Sequence, residues 1–186
     1  YMIWLGYCIN WQYTLGVSIV IAGMLMMYTC STLYHWSIKA EVKKILRKLD
    51  HISIYVMIAG SYTPLCIAVV GGWVGWLMFA VQWALVIGGT FYKIFAIGRW
   101  PALSLGIYLA MGWSVLLIAR PVYESIDPLA LGCIAAEGII YTLGTYFYAH
   151  DSRPHYHAIW HVFVLLGSIC HWLAVLFIML KEGAML

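Results

Sequence analysis

The sequence predicts an all-α protein, a polytopic bundle of helices that cross a membrane. Of its 186 residues, 65% are hydrophobic and only 9% are charged, whereas a soluble domain has roughly 25% charged residues. The mean hydropathy of +0.91 excludes a disordered chain and a nucleic-acid-binding surface. At about 20 apolar residues per crossing, the chain has room for six spans and no globular domain. Residues 1–186 are therefore predicted to form one transmembrane bundle.

Apolar runs separated by charged residues, glycine or proline define the spans. The six predicted spans are residues 12–36, 51–70, 73–95, 101–119, 128–149 and 156–180. Residues 1–9 are also apolar but are too few to cross a bilayer. Because the chain begins with Tyr1 rather than Met, we expect that part of the gene product is missing at this end.

The segments between the spans are predicted to be loops and turns. In order they are a basic loop from Ser37 to Leu49, a Gly71-Gly72 turn, a loop that ends in Arg99-Trp100-Pro101, the segment Arg120 to Asp127, and the segment His150 to His155. A kink is expected at Pro64, which lies inside the second span. The five cysteines form no CxxC pair and are expected to be buried apolar residues.

The basic residues predict how the bundle is oriented. If consecutive spans alternate in direction, Arg120 and Lys181 lie on one side of the membrane. Eight cations lie on the other side: Lys39, Lys43, Lys44, Arg47, Lys48, Lys93, Arg99 and Arg153. Cytoplasmic loops carry the excess of Lys and Arg. The sequence therefore predicts a multi-pass membrane protein, with the basic loop in the cytoplasm and the C-terminus outside. Binding of an anionic lipid or a protein partner is the alternative role of the basic loop.

Four polar residues far apart in sequence are predicted to lie at one membrane depth. His35 ends the first complete span, Asp50 opens the next, and His157 and His161 open the last. All four therefore lie at the cytoplasmic boundary. Polar groups at this depth are costly and are candidates for function. A histidine at a helix end can also be merely interfacial, and that interpretation is expected for His51, His150 and His155.

The spacing of these residues favours a metal site. His157 and His161 are four residues apart and share one helical face, and Ser31 lies one turn from His35. Three imidazoles with an open fourth position are the ligand set of a catalytic zinc ion. Copper would favour Cys or Met ligands, and the segment lacks the glutamate of an HExxH motif. Asp50 is the candidate catalytic base, although it could also cap the helix that begins at His51.

Two further polar residues are predicted near the middle of the spans. Glu137 and His171 lie at similar depths, so a buried pair between them is one interpretation and a substrate contact is another. Gln82 is a candidate partner for either residue.

A set of short motifs occurs in a fixed order along the chain. They are Ser31-Thr-Leu-Tyr-His35, Leu49-Asp50-His51, Ile58-Ala-Gly-Ser-Tyr-Thr-Pro64, Tyr108-Leu-Ala-Met-Gly-Trp113, His157-Ala-Ile-Trp-His161, Gly167 and Cys170-His171. This set resembles the bacterial haemolysin III family, which belongs with the progestin and adiponectin receptor superfamily. Members have seven helices with the N-terminus inside. The family's first helix is therefore predicted to be absent here, or represented only by residues 1–9.

The resemblance implies a zinc ion, Zn²⁺, near the cytoplasmic face. Its ligands would be His35, His157 and His161. Asp50 matches the family's aspartate, which hydrogen-bonds the water on the metal, and Ser31 matches the motif serine. Glu137 departs from the family's pattern.

These observations leave three functions open. The first is a zinc-dependent hydrolase that cleaves a membrane lipid amide or ester, because the site would open into a bundle within lipid; the receptor relatives are associated with ceramide. In this interpretation Asp50 and Ser31 are the catalytic residues. The second is a pore-forming haemolysin or channel, as the family name suggests. The third is a lipid sensor or receptor in which zinc is structural. A membrane lipid is the expected substrate or ligand in the first and third cases, no nucleic acid is expected as a partner, and protein partners are left open.

Overall fold

The computed structural model describes residues 1–184, which form eight α-helices and no strand. The helices are α1 (Met2–Ile9), α2 (Trp11–Trp36), α3 (Ala40–Pro64), α4 (Gly72–Ala96), α5 (Pro101–Trp113), α6 (Ala119–Ser125), α7 (Pro128–Ala149) and α8 (Tyr156–Gly183). A π-helical turn, Leu65–Val70, continues α3, and a 3₁₀ segment, Ser114–Ile118, joins α5 to α6.

Six helical stretches in the described residues are long and apolar enough to cross a membrane. They are Trp11–Trp36, Ala40–Val70, Gly72–Ala96, Pro101–Ser125, Pro128–Ala149 and Tyr156–Gly183. This result confirms the predicted polytopic helical bundle. The short helix α1 precedes these spans and packs on α2 and α8.

The predicted basic loop is mostly helical. Only Ser37–Lys39 connects α2 to α3, and α3 begins at Ala40. Charged residues were expected to end a span, but Lys, Arg, Glu and Leu are good helix formers in water. Lys44 also pairs with Glu41 at 2.8 Å on the exposed surface of this helix. The first ten residues of α3 therefore extend the helix beyond its apolar part.

Two spans change their helical geometry near the middle of the bundle. Instead of a simple kink, a wider π turn begins directly after Pro64. The span that starts at Pro101 tightens into the 3₁₀ segment and continues as α6, so the predicted connector from Arg120 is helical as far as Ser125. The Tyr62 hydroxyl joins the two breaks, because it donates to the Gly112 carbonyl at 2.5 Å and accepts from the Val115 amide at 2.7 Å.

The helices pack side by side, with α2 along α3, α3 along α4 and α7 along α8. One end of the bundle, called here the histidine end, contains the last turns of α2, α4 and α7 and the first turns of α3, α5 and α8. Lys48 of α3, for example, donates to the Ile94 carbonyl of α4 at 2.8 Å. At the far end, Lys181 of α8 donates to the Ser125 carbonyl of α6 at 2.8 Å.

The main apolar core lies toward the far end, where it includes Val17, Cys66, Val122 and Met179. A second, smaller cluster lies between α3, α4 and α5 and includes Tyr55 and Tyr108. The four polar residues predicted to lie at one membrane depth, His35, Asp50, His157 and His161, thus lie outside the main core, at the histidine end.

Candidate metal centre

Three histidine side chains from two helices meet at the histidine end. The Nε2 atom of His35, on the last turn of α2, lies 3.1 Å from Nε2 of His157 and 3.3 Å from Nε2 of His161. The two α8 histidines are 3.1 Å apart at the same atoms. The structure therefore brings together residues separated by more than 120 positions in the sequence, as predicted from the sequence.

The hydrogens of the three imidazole rings cannot be placed so that every contact between their Nε2 atoms is a hydrogen bond. In a neutral imidazole, a ring nitrogen either carries hydrogen and donates, or is bare and accepts. Three nitrogens in mutual contact cannot all be matched, because the third always repeats the state of one of the other two. A cation that accepts a lone pair from each nitrogen removes the mismatch. The three residues are also a group whose ligand atoms all lie within 4.8 Å of one another.

The spacing fits a tetrahedral metal ion. Zn–N bonds of 2.0–2.1 Å in tetrahedral geometry separate neighbouring nitrogens by about 3.3 Å. The three Nε2–Nε2 distances lie between 3.1 and 3.3 Å. The residues present therefore fit three ligands of one zinc ion, with a fourth position left for a water or a substrate.

Asp50 and Ser31 lie beside the three histidines. The Ser31 hydroxyl is within reach of a hydrogen bond to the Asp50 carboxylate, and His157 is close enough to interact with it electrostatically. The side chain of Asp50 is mostly buried. Because α3 begins at Ala40, Asp50 lies inside the helix, and the alternative role as its N-terminal cap is wrong.

The site opens toward the outside of the bundle at this end. His35 is exposed, and His157 and His161 are half-buried. The arrangement thus combines fixed nitrogen ligands with access for a water molecule or a substrate group.

The other histidines of the histidine end are separate from the cluster. The His51 ring contacts the Arg47 carbonyl through Nδ1 at 2.8 Å, and that of His150 contacts the Tyr146 carbonyl in the same way. His155 is exposed and precedes α8 with a left-handed backbone, φ 67°. Cys30 lies near Asp50 but is not part of the histidine group.

The buried pair between Glu137 and His171 is present. Nδ1 of His171 lies 3.0 Å from a carboxylate oxygen of Glu137, between α7 and α8. Gln82 is a partner of neither residue. Its side-chain amide instead donates to the Met111 carbonyl at 3.2 Å and to the Ser114 hydroxyl at 2.7 Å.

Several residues near the site were not singled out from the sequence. The Tyr108 hydroxyl donates to the His51 carbonyl at 2.9 Å and so fixes the turn of α3 that carries Asp50. Tyr148 of α7 also lies close enough to Asp50 to interact with it. Lys93 was counted only among the basic residues that orient the bundle. A lysine within an apolar run was the signal that could have identified it, because such a residue is expensive in a membrane.

Comparison with known proteins extends these observations. The family described as "Haemolysin-III related" matches residues 1–172. The "Hemolysin-3 homolog" of Bacillus subtilis (strain 168) is 40% identical over 167 residues, which cover 89% of this chain and 78% of that protein. The "Hemolysin-3" of Bacillus cereus is 39% identical over 162 residues, which cover 87% of this chain and 74% of that protein.

A more distant similarity reaches animal proteins. The human "Monocyte to macrophage differentiation factor" is 30% identical over 162 residues, which cover 82% of this chain and 66% of that protein. No solved structure matches the chain. The similarity along almost the whole sequence agrees with the helical membrane bundle and with the ordered motifs, and we conclude that the chain belongs to the haemolysin III family, within the progestin and adiponectin receptor superfamily.

Proposed function

We propose that this protein is a zinc-dependent hydrolase that cleaves a membrane lipid amide of the ceramide type, or a lipid ester. The observation that carries the proposal is the contact among three Nε2 atoms at 3.1–3.3 Å, with Asp50 beside them. Three neutral nitrogen ligands leave the charge of the ion undiminished. A zinc ion bound there would act as a Lewis acid. It would lower the pKa of a bound water molecule to about 7 and polarise the carbonyl group under attack.

The residues of this chain supply the proton transfers. Asp50 would accept a proton from the attacking water and return it to the leaving amine or alcohol. The Ser31 hydroxyl beside it would hold the carboxylate in position and keep one oxygen free for this task. The Tyr108 hydroxyl would support the same turn of α3 through the His51 carbonyl.

The position of the site supports a lipid substrate. The histidines lie at the ends of membrane-length helices, so the reacting group of a lipid would reach them from the headgroup region. Eight of the ten basic residues lie at or near this end. By the positive-inside rule, this end would face the cytoplasm, which puts the reaction at the inner leaflet of the bacterial inner membrane and the C-terminus outside.

The hydrolase is tested with purified protein in lipid vesicles and a panel of lipid amides and esters. We expect fatty acid release by the wild type, its loss with a chelator and its return with zinc. Asp50→Ala should release product roughly 10²–10⁴ times more slowly, because a general base contributes about that factor. Glu124→Ala, which changes an exposed carboxylate of α6, should match the wild type. Equal product from Asp50→Ala and wild type would exclude the proposed base.

A second candidate function is membrane lysis, favoured by the names of the two Bacillus relatives, "Hemolysin-3 homolog" and "Hemolysin-3". Dye release from vesicles by the zinc-free protein would support this function, because a pore does not need the metal. A third outcome, stoichiometric zinc with neither product nor dye release, would favour a lipid sensor in which the metal is structural.

A further inference from the structure

Lys93 is a buried cation near the candidate metal centre. It lies on the last turn of α4, three residues before Ala96, and is only 2% exposed. A lysine at the end of a membrane helix normally extends its ammonium group to the interface. Lys93 is instead enclosed by α3, α4 and α5, so its burial needs another explanation.

The contacts of the Lys93 ammonium group are incomplete. Its Nζ atom donates to the Ser104 hydroxyl at 2.6 Å and lies 5.5 Å from the ring centres of Tyr92 and Tyr108. Such rings offset part of the cost of burying a cation. Within residues 1–184, no carboxylate forms an ion pair with it. An ammonium group has three hydrogens to donate, and one of them has an acceptor here.

A second unpaired group lies in the same cluster. The Tyr55 hydroxyl is completely buried and has no hydrogen-bond partner within the described residues. The Tyr55 ring packs on that of Tyr108 with 4.5 Å between the centres, and Ser104 is also close to its hydroxyl. Gly89 makes room for this ring, since a Cβ atom there would be 2.7 Å from it. Buried polar atoms without partners commonly mark a missing ligand or water.

The surrounding charge is positive. The Arg47 guanidinium is near enough to act electrostatically on Lys93, and it extends toward Gly98 in the turn between α4 and α5. Lys48 lies on the same side, bonded to the Ile94 carbonyl. An exposed arginine above a buried lysine attracts a negative group and then holds it where water is excluded.

This cluster is connected to the candidate metal centre through the backbone of α3. Tyr108 contacts Lys93 through its ring and the His51 carbonyl through its hydroxyl. His51 directly follows Asp50. One lipid molecule at the histidine end would therefore meet both the cationic cluster and the histidines.

We propose that Lys93, with Ser104 and Tyr55, forms a binding site for the oxyanion of an acidic membrane lipid. The oxyanion would accept hydrogen bonds from the Lys93 ammonium group, two of whose three hydrogens have no acceptor, and from the Tyr55 hydroxyl, which has none. Phosphate and carboxylate share this chemistry, and both occur at the headgroup depth where α4 ends. The site does not need the metal. As a statement about the substrate, it rests on the proposed hydrolase and favours acidic lipids as its substrates. The fatty acid that hydrolysis of any lipid amide or ester releases would also present a carboxylate to this site.

The experiment measures lipid binding by native mass spectrometry of the detergent-solubilised chain. The probes are dioleoyl phosphatidic acid, oleate and uncharged dioleoylglycerol. We expect the wild type to bind at least one acidic probe roughly ten- to a hundredfold more tightly than dioleoylglycerol, the range expected for charge-assisted hydrogen bonds. A preference for phosphatidic acid identifies a phosphate as the ligand, and a preference for oleate identifies a carboxylate.

Three variants complete the test. Lys93→Met should abolish the preference for the acidic probe. Tyr55→Phe, which keeps the packing and removes only the unpaired hydroxyl, should weaken binding of the acidic probe roughly tenfold. Lys44→Met, which changes an exposed lysine at the same end, should bind like the wild type. If Lys93→Met does not fold, Tyr55→Phe decides the question.

Equal binding of charged and uncharged probes by the wild type would overturn this proposal, and so would an unchanged preference in Tyr55→Phe. The zinc content and the hydrolysis of each sample are recorded in parallel. Selective binding without hydrolysis contradicts only the hydrolase, and hydrolysis without selective binding contradicts only the oxyanion site.

Discussion

Helix α8 contributes histidines to two clusters that differ in what they require. At the histidine end, His157 and His161 meet His35 through three like atoms, all Nε2. About 15 Å further along α8, at a rise of 1.5 Å per residue, Nδ1 of His171 meets the Glu137 carboxylate. The first cluster has only ring nitrogens, whereas the second joins a donor to an acceptor.

The two clusters differ in whether their hydrogen-bonding groups are matched. The three histidines need a ligand, whereas Glu137 and His171 supply most of the hydrogen bonds that each other requires. His171 is 5% exposed and can give its Nδ1 hydrogen to Glu137, which leaves Nε2 as the one buried ring atom without a partner. In the three-histidine cluster, no assignment of hydrogens matches every contact. We therefore propose a structural role for the Glu137–His171 pair and a metal-binding role for the open cluster.

The largest expected difference is in metal content. His161→Ala should reduce bound zinc from about one equivalent to background, because two ligands do not hold a structural or catalytic zinc. His171→Ala should keep its zinc, since that residue lies outside the cluster. Metal analysis of both purified variants measures this difference. Zinc retained in His161→Ala, or lost in His171→Ala, would reverse the assignment of the two clusters.

The next effect is on stability. Glu137→Leu should lower the free energy of unfolding by about 1–3 kcal/mol, because it leaves the buried Nδ1 hydrogen of His171 without its acceptor. Replacing both residues of the pair by leucine should recover part of this loss, as often happens when a buried pair becomes apolar. Thermal unfolding in detergent compares these variants with Glu124→Leu, whose exposed pair with Arg120 should be worth at most about 1 kcal/mol. A single variant as stable as the wild type would show that the pair contributes nothing.

The smallest effect is expected one turn away from the pair. The Tyr141 hydroxyl lies 3.2 Å from the Ser168 hydroxyl in the same α7–α8 interface. Tyr141→Phe should cost about 1 kcal/mol, which is typical of one neutral hydrogen bond, and it should leave the zinc content unchanged. The same unfolding measurement tests this value. A loss as large as that of Glu137→Leu would mean that the two pairs form one network.

The sequence predicts most of this arrangement because membrane helices obey simple length and polarity rules. Apolar runs identify the six spans, and alternation of direction brings His35, Asp50, His157 and His161 to one end. The relation between Glu137 and His171 also follows from counting residues along α7 and α8. These predictions depend only on helix geometry and on the high cost of polar groups in lipid.

The remaining features depend on contacts that no local pattern encodes. Charges at the start of α3 end the apolar run but not the helix, so Asp50 lies inside α3 rather than at its cap. The π turn after Pro64 and the 3₁₀ segment at Ser114 arise where two spans meet at Tyr62. The sequence analysis used Lys93 only to orient the bundle, and its burial was not predicted because it depends on Ser104, which lies on another helix.

The donors of the three-histidine cluster come from near the two ends of the chain, with 122 positions between His35 and His157. A cation bound by His35 and by the two α8 histidines would hold together the ends of this long segment. It would bind only the folded form, in which the three rings meet. The unfolding temperature of the bundle would therefore rise with the concentration of free zinc, by mass action. Metal scarcity in the cell would loosen α8 from α2 and so change the abundance of the protein as well as its chemistry.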